Sequence, residues 1–201
     1  EKSPLSYDPK ALGKAPPFIP GGLLNRFTVS VFNEGWFLKA PRYQKGELQQ
    51  IAQYFHPLDG VKDWNRIYGP AGFLQYQFVV PDQASEMVPR TLQALRDVGA
   101  PSFLTVLKRF GESNPAPLSF PMKGWTLAVD IPANVHGLLQ TLNQLDEEVA
   151  SVGGRLYLAK DSRQSAAMFR ATYPLIDEWK TVKATLDPRG IFYSDIYKRL
   201  N

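Results

Sequence analysis

Alternation between apolar and polar positions is cleanest from residue 73 to 80. Leu74, Tyr76, Phe78 and Val80 fall on one side of an extended chain; Phe73, Gln75, Gln77 and Val79 fall on the other. The first set is wholly aromatic or aliphatic. The second places two amides side by side, for which a strand built only for packing has little use. The stretch predicts a strand with a core side and a working side, launched by the Gly/Pro turn from Gly69 to Gly72. Period two returns over 102–110, where Phe103, Thr105 and Leu107 oppose Leu104, Val106, Lys108 and Phe110. It returns again over 125–131, where Trp125, Leu127, Val129 and Ile131 oppose Thr126, Ala128 and Asp130. A short fourth strand is expected over 155–158.

Between these strands the period lengthens to that of a helix. Asp82 or Ser85 can cap a helix whose apolar stripe is Val88, Leu92, Leu95 and Val98, with Pro89 tolerated only in its first turn and Gly99 ending it. Asn134 is expected to cap a second, with the stripe Val135, Leu138, Leu139, Leu142, Leu145 and Val149 stopped by Gly153-Gly154. The resulting order is β-α-β-β-α-β, an α+β fold of the ferredoxin-like kind: an antiparallel sheet with both helices on one face. Beyond Lys160 the pattern is helical over 163–173, 175–186 and near 194–200, a C-terminal appendage too small to bury a core alone. Upstream, residues 1–22 carry five prolines and Gly21-Gly22 and read as an extended lead-in or linker. Residues 26–33 fit a strand and a helix equally, and 47–55 read as a short element.

Composition narrows the chemistry. Of 201 residues, 44% are hydrophobic and 21% charged, an ordinary globular balance able to bury a core. A net charge of +4 suits a phosphate-bearing ligand without being a nucleic-acid footprint. With no cysteine, disulfides, thiolate metal sites and cysteine nucleophiles are excluded. Two histidines, His56 and His136, offer little for a zinc site and read as structural or exposed. No apolar run approaches the roughly 18 residues that span a bilayer, and no signal peptide is recognised. The localisation expected is cytoplasmic or peripheral at a membrane. The chain begins at Glu1 rather than Met and is read as a fragment.

If the apolar strand faces meet the helices, Gln75, Gln77, Lys108, Phe110, Thr126 and Asp130 lie on the uncovered face. A solvated sheet surface is the plain alternative, but Leu104, Val106 and Phe110 are too apolar for bare water, and such a face calls for a lid, a ligand or a further domain. Single-stranded RNA is disfavoured, because neither 73–80 nor 105–111 matches the aromatic pattern of an RNA-recognition motif. Where the sheet hands over to the helical segment, Tyr157, Lys160 and Arg163 are placed to orient an anionic or carbonyl-rich ligand. On the plainer reading Asp161 or Ser162 caps the next helix and Lys160 is solvated.

Four stretches carry a resemblance: His56-Pro-Leu-Asp59, Tyr68-Gly-Pro-Ala-Gly-Phe-Leu-Gln-Tyr-Gln-Phe78, Ala116-Pro-Leu-Ser-Phe-Pro121 and Gly153-Gly-Arg-Leu-Tyr-Leu-Ala-Lys-Asp-Ser-Arg163. Together they resemble the FAD-linked oxidases of the vanillyl-alcohol oxidase type, in the branch of the decaprenylphosphoryl-ribose 2′-oxidases, with aldonolactone oxidases as neighbours. The resemblance implies a two-domain flavoenzyme with FAD as cofactor. Residues 23–154 would supply the substrate-binding domain and 155–201 the segment returning to the FAD-binding domain, whose N-terminal half is absent from the chain. It further implies that Gln77, Leu104, Val106, Lys108, Phe110, Thr126, Ala128 and Asp130 line the substrate pocket. Tyr157, Ala159 and Lys160 would touch the flavin, and Lys160 and Gln75 would act at the reacting atoms. The substrate would be a polyprenyl-phosphate sugar, or another polyol or aldonolactone. Expected partners are the missing half, a short-chain reductase and a membrane surface, with no nucleic acid and no metal. Two departures stand out: Ala128 replaces a cysteine of mycobacterial members, and Tyr54-Phe55 reverses the usual Phe-Tyr order. Outside enzymes, the alternative is a ferredoxin-like binding module.

Overall fold

A computed structural model describes residues 11–201, so the first ten residues of the expected lead-in lie outside it. The chain divides into two compact units that meet between Gly72 and Phe73.

In the first unit, β1 (Gly13–Lys14) pairs in parallel with β2 (Val61–Lys62). Residues 26–33, which fitted either period, belong to helix α1 (Arg26–Lys39); α2 (Ile51–Phe55) follows. The start of α1 is well specified: the Asn25 side chain accepts from the backbone of Phe27 and Thr28, while Thr28 Oγ1 accepts from the backbone N–H of Asn25. No residue of α1 is buried.

The second unit holds a four-stranded antiparallel sheet built from β3 (Phe73–Pro81), β4 (Thr105–Phe110), β5 (Gly124–Pro132) and β6 (Arg155–Leu156), in the spatial order β4-β5-β3-β6. The register sets Gln75 opposite Asp130, Gln77 opposite Ala128 and Lys108 opposite Thr126. Helices α3 (Met87–Asp97) and α4 (Leu138–Ser151) supply the two α positions of the expected order. Tyr76, Phe78, Val80, Leu127, Val129 and Ile131 form one core with Leu95, Leu142, Leu145 and Val149. The α+β class and the faces of β3 and β5 are therefore as the alternation implied; on the edge strand β4, Thr105 and Leu107 of the expected core side are exposed, because the helices do not reach over it. Two glycines make the sheet possible: a Cβ on Gly124 would sit 2.0 Å from the Val80 carbonyl oxygen, and one on Gly154 would sit 2.7 Å from that of Val79.

The helix starts differ from expectation. Neither Asp82 nor Ser85 caps α3, which begins after a 3₁₀ turn over Asp82–Ala84. Asp82 instead binds Arg109 on β4 through both carboxylate oxygens, at 2.9 and 3.2 Å. The buried stripe of α3 is Met87, Thr91 and Leu95, with Leu92 exposed. Asn134 does not cap α4; the chain turns until Gly137, whose φ of +76° suits glycine, and Leu139 of the expected stripe is exposed. In both cases an isolated capping residue was outweighed by where the strand releases the chain.

The C-terminal segment forms α5 (Ala166–Thr172), α6 (Ile176–Leu186) and α7 (Asp195–Leu200). Ser165, not Asp161 or Ser162, caps α5, and Ser194 caps α7. Phe169, Tyr173, Ile176 and Leu200 make a small second core with Leu118 and Leu158. The segment thus buries its apolar stripe with help from residues of the sheet unit. Among the described residues no helix is long and apolar enough to cross a membrane.

Candidate functional site

The helix-free face of the sheet is furnished by period two alone. β3 presents Gln75 and Gln77; β5 presents Thr126, Ala128 and Asp130; β4 presents Val106, Lys108 and Phe110. Strand pairing then joins amides to their neighbours. Gln75 Nε2 donates to Asp130 Oδ1 at 2.5 Å, and Gln77 Nε2 donates to Thr126 Oγ1 at 3.2 Å. Thr126, Ala128 and Asp130 are buried, at 1%, 8% and 1% exposure, so the face is less bare than the alternation suggested. The two glutamines are half-buried and Lys108 is exposed.

Part of the cover comes from the proline-rich loop 111–123. Phe120 makes an edge-to-face contact with Phe110 at 5.9 Å and lies 4.5 Å from the Tyr157 ring. These three rings bridge β4 to the end of β6 across the face. Arg155 fastens the loop, donating to the Ser119 carbonyl at 2.7 Å. Ser119 and Phe120 belong to the motif 116–121, yet their role is not legible in the sequence, because a loop has no period to read.

Lys160 is placed by the sheet. Tyr157 N–H donates to the Gln77 carbonyl at 2.9 Å, and one 3₁₀ turn later Lys160 N–H donates to the Tyr157 carbonyl at 3.1 Å. Leu158–Lys160 is therefore fixed to β3 through its backbone while Ala159 and the Lys160 side chain remain exposed. The next residue is held from the far end of the chain. Arg199 donates to Asp161 Oδ2 and to the Gln164 carbonyl, each at 2.7 Å. Asp161 Oδ1 accepts from the backbone of Arg163 and Gln164. Asp161 thus organises the turn after Lys160, a different task from capping a helix.

Arg163, expected to orient a ligand, is tied to the core side. Its guanidinium contacts Asp146 at 2.7 Å and Asn143 at 2.8 Å and lies 5.5 Å from the Tyr76 ring centre, serving the core side. Burial raises the Asp146 pKa, opposed by this contact with Arg163. Burial likewise raises the pKa of Asp130, opposed by the Gln75 hydrogen bond and by the charge of Lys160. Its second oxygen, Oδ2, is buried without a hydrogen-bond partner.

A cavity of about 660 Å³ lies elsewhere: an apolar groove of the C-terminal helices lined by Trp179, Phe192, Tyr193, Ile196 and Tyr197. It reaches Leu158 and Ala159, so groove and polar face share the Lys160 turn. A second, small cleft of about 20 Å³ touches Gln75, Gln77 and Tyr157 directly. The polar face holds amide, hydroxyl and carboxyl groups; the groove is lined mainly by apolar side chains, with Lys183, half-buried and paired with Asp187 at 2.7 Å, at its wall. His56 and His136 are both exposed, and no cluster of metal-binding side chains occurs among the described residues.

Against known proteins, residues 132–200 match the family model described as D-arabinono-1,4-lactone oxidase. The chain is 46% identical over 200 residues to a decaprenylphosphoryl-beta-D-ribose oxidase of Mycolicibacterium smegmatis, covering 100% of this chain and 43% of that protein. It is 34% identical over 208 residues to an "Uncharacterized protein in mprA 5'region" of Streptomyces coelicolor, covering 99% of this chain and 55% of that one. The chain spans about half the length of these curated relatives, and the M. smegmatis match falls on the relative's C-terminal part. The resemblance to FAD-linked sugar oxidases carried by the four motifs thus extends along the chain.

Proposed function

We propose that this relative of the FAD-linked sugar oxidases forms the substrate-binding portion and the returning C-terminal segment of such an oxidoreductase, acting on a sugar hydroxyl. The observation that carries the reading is the Lys160 turn: an exposed cation, pinned by its backbone to the strand that bears Gln75 and Gln77. A flavin, when bound, supplies the hydride acceptor. The residues present fit one. Lys160 offers a positive charge, Ala159 leaves room for a close approach, and the half-buried amides face the same side of the sheet.

In this reading Gln75, Gln77 and Lys108 orient a polyol, while Phe110, Val106 and Leu104 give the pocket its apolar wall. Loop 111–123 narrows access and limits water. Lys160 holds a cation where negative charge gathers during hydride transfer, which stabilises the transition state more than the oxidised ground state. The substrate we favour is a prenylphosphoryl ribose oxidised at C2 to the keto sugar, which a short-chain reductase would then consume. A membrane surface would supply so apolar a substrate. The match to D-arabinono-1,4-lactone oxidase over 132–200 favours an aldonolactone as the second reading.

Anaerobic single-turnover reduction of the complete enzyme tests the role of Lys160. Lys160→Met should bind flavin normally and slow reduction by prenylphosphoryl ribose ~10²–10³-fold, as for a lost oxyanion donor. Reduction at the wild-type rate would remove Lys160 from this role. Faster reduction by an aldonolactone than by the prenylphosphoryl ribose would select the second reading.

A further inference from the structure

Asp130 resembles a pocket residue by its place on the helix-free face, yet it is only 1% exposed. It lies behind Gln75: the two residues are directly opposed across β5 and β3, and Gln75 Nε2 donates to Asp130 Oδ1 at 2.5 Å. Its backbone is fixed as well, donating to the Leu104 carbonyl at 3.0 Å. Gln75 is half-buried, so it is the member of the pair that a ligand meets.

We infer that Asp130 is a positioning residue that sets the polarity of the Gln75 amide, so that the Gln75 carbonyl oxygen is held ready to accept a hydroxyl of the sugar.

The argument rests on what each group can do. An ionised carboxylate only accepts hydrogen bonds, whereas an amide can turn either end toward a neighbour. Paired with Asp130, Gln75 spends one N–H inward, which fixes the plane of the amide and turns Oε1, with the second N–H, toward other partners. Burial raises the pKa of Asp130, while the hydrogen bond from Gln75 and the charge of Lys160 oppose that rise; the pairing itself stands on the geometry, with Gln75 Nε2 as the donor. The adjacent pair has no such lock: Gln77 faces Thr126 Oγ1, a hydroxyl that can donate or accept. Each row of the face therefore has a different rule, and Asp130 makes the Gln75 row selective for donors. A polyol supplies hydroxyl donors to Oε1; a carboxylate or phosphate offered to that atom would meet a carbonyl oxygen and be disfavoured there. This inference rests on the sugar-oxidase reading for its ligand, but not for the pairing itself.

Two measurements on the full-length flavoprotein test it. The first needs no substrate: side-chain amide signals of ¹⁵N-glutamine-labelled protein, with Gln75 identified by its loss in Gln75→Ala. Asp130→Asn should move the Gln75 amide protons or split them into two populations; signals unmoved in that variant would overturn the inference. Asp130→Ser replaces it if Asp130→Asn does not fold. The second is a double-mutant cycle with a short-chain prenylphosphoryl ribose as probe. Asp130→Asn should lower kcat/KM about five- to tenfold, the range of one lost hydrogen bond. In a Gln75→Ala background it should cost less than about twofold. An equal cost in both backgrounds would show Asp130 acting on substrate directly and overturn the inference. If the wild-type enzyme leaves the probe unoxidised, the substrate reading fails and the amide signals still decide the pairing.

Discussion

The two faces of one sheet differ in almost every physical respect, although the same residues of backbone build both. Toward α3 and α4, Phe78, Val80, Leu127, Val129 and Ile131 are all at most 1% exposed and carry no polar atom. On the other side, the equally buried Thr126 and Asp130 carry hydroxyl and carboxyl groups, and Asp130 keeps an oxygen without a partner. Burial is thus similar, and its energetic meaning is opposite. Apolar burial stabilises by roughly 1.5–3 kcal/mol per large side chain, whereas a buried carboxylate costs free energy unless paired. The first face holds the fold together. The second carries groups that the fold would be more stable without, the usual mark of a working surface.

The widest expected gap between the faces lies in stability. Phe78→Ala should cost about 3–5 kcal/mol in denaturant unfolding, because the cavity lies between two strands and two helices. A loss below about 1 kcal/mol would mean that the helix-packed face is not the core. Next is the tie behind the working face. Arg199→Ala leaves Asp161 without its cation and should cost about 1–3 kcal/mol, with added hydrogen exchange in the turn from Leu158 to Gln164. Unchanged exchange there would detach α7 from the site.

Lys108→Ala sharpens the comparison from the other side. Lys108 is exposed on the helix-free face, so its loss should leave stability within about 0.5 kcal/mol while lowering turnover of the complete enzyme. A large loss of stability with unchanged kinetics would invert the faces. The smallest effect is one of pH. Burial raises the folded pKa of Asp130 above the ordinary value of about 3.9, so over the interval between the two values the folded chain binds more protons than the unfolded one. Its contribution to stability therefore falls as pH rises through that interval. Asp130→Asn should flatten this part of the stability–pH curve, and a curve of unchanged slope would argue against a raised value.

Much of this contrast was legible before any coordinates, and the reason is geometric. A strand has an exact period of two, so Gln75, Gln77, Thr126 and Asp130 could be assigned to one face from spacing alone, and the register then made neighbours of them. Helix starts were not legible, since Asp82 and Asn134 are good capping residues that the structure uses otherwise or leaves in turns. Thr91 was missed in the stripe of α3 because a polar residue at a core position looks like a break in the pattern. The roof formed by Phe120 and the bond from Arg199 to Asp161 join positions 37 and 38 residues apart without periodic spacing. Side chains meeting through loops leave no mark in a one-dimensional pattern.

The bond from Arg199 also has a bearing on how the protein is made. A ribosome delivers β3, β5 and Lys160 well before it delivers α7, so the sheet can close and the polar face can assemble while the turn at Asp161 still lacks its guanidinium. The core can be complete before α7 emerges; the turn at Asp161 is completed only after it. A nascent chain paused after α6 would be folded and unfinished at once, with a stable scaffold and a loose Lys160. The order of the Lys160 turn is thereby tied to the arrival of α7.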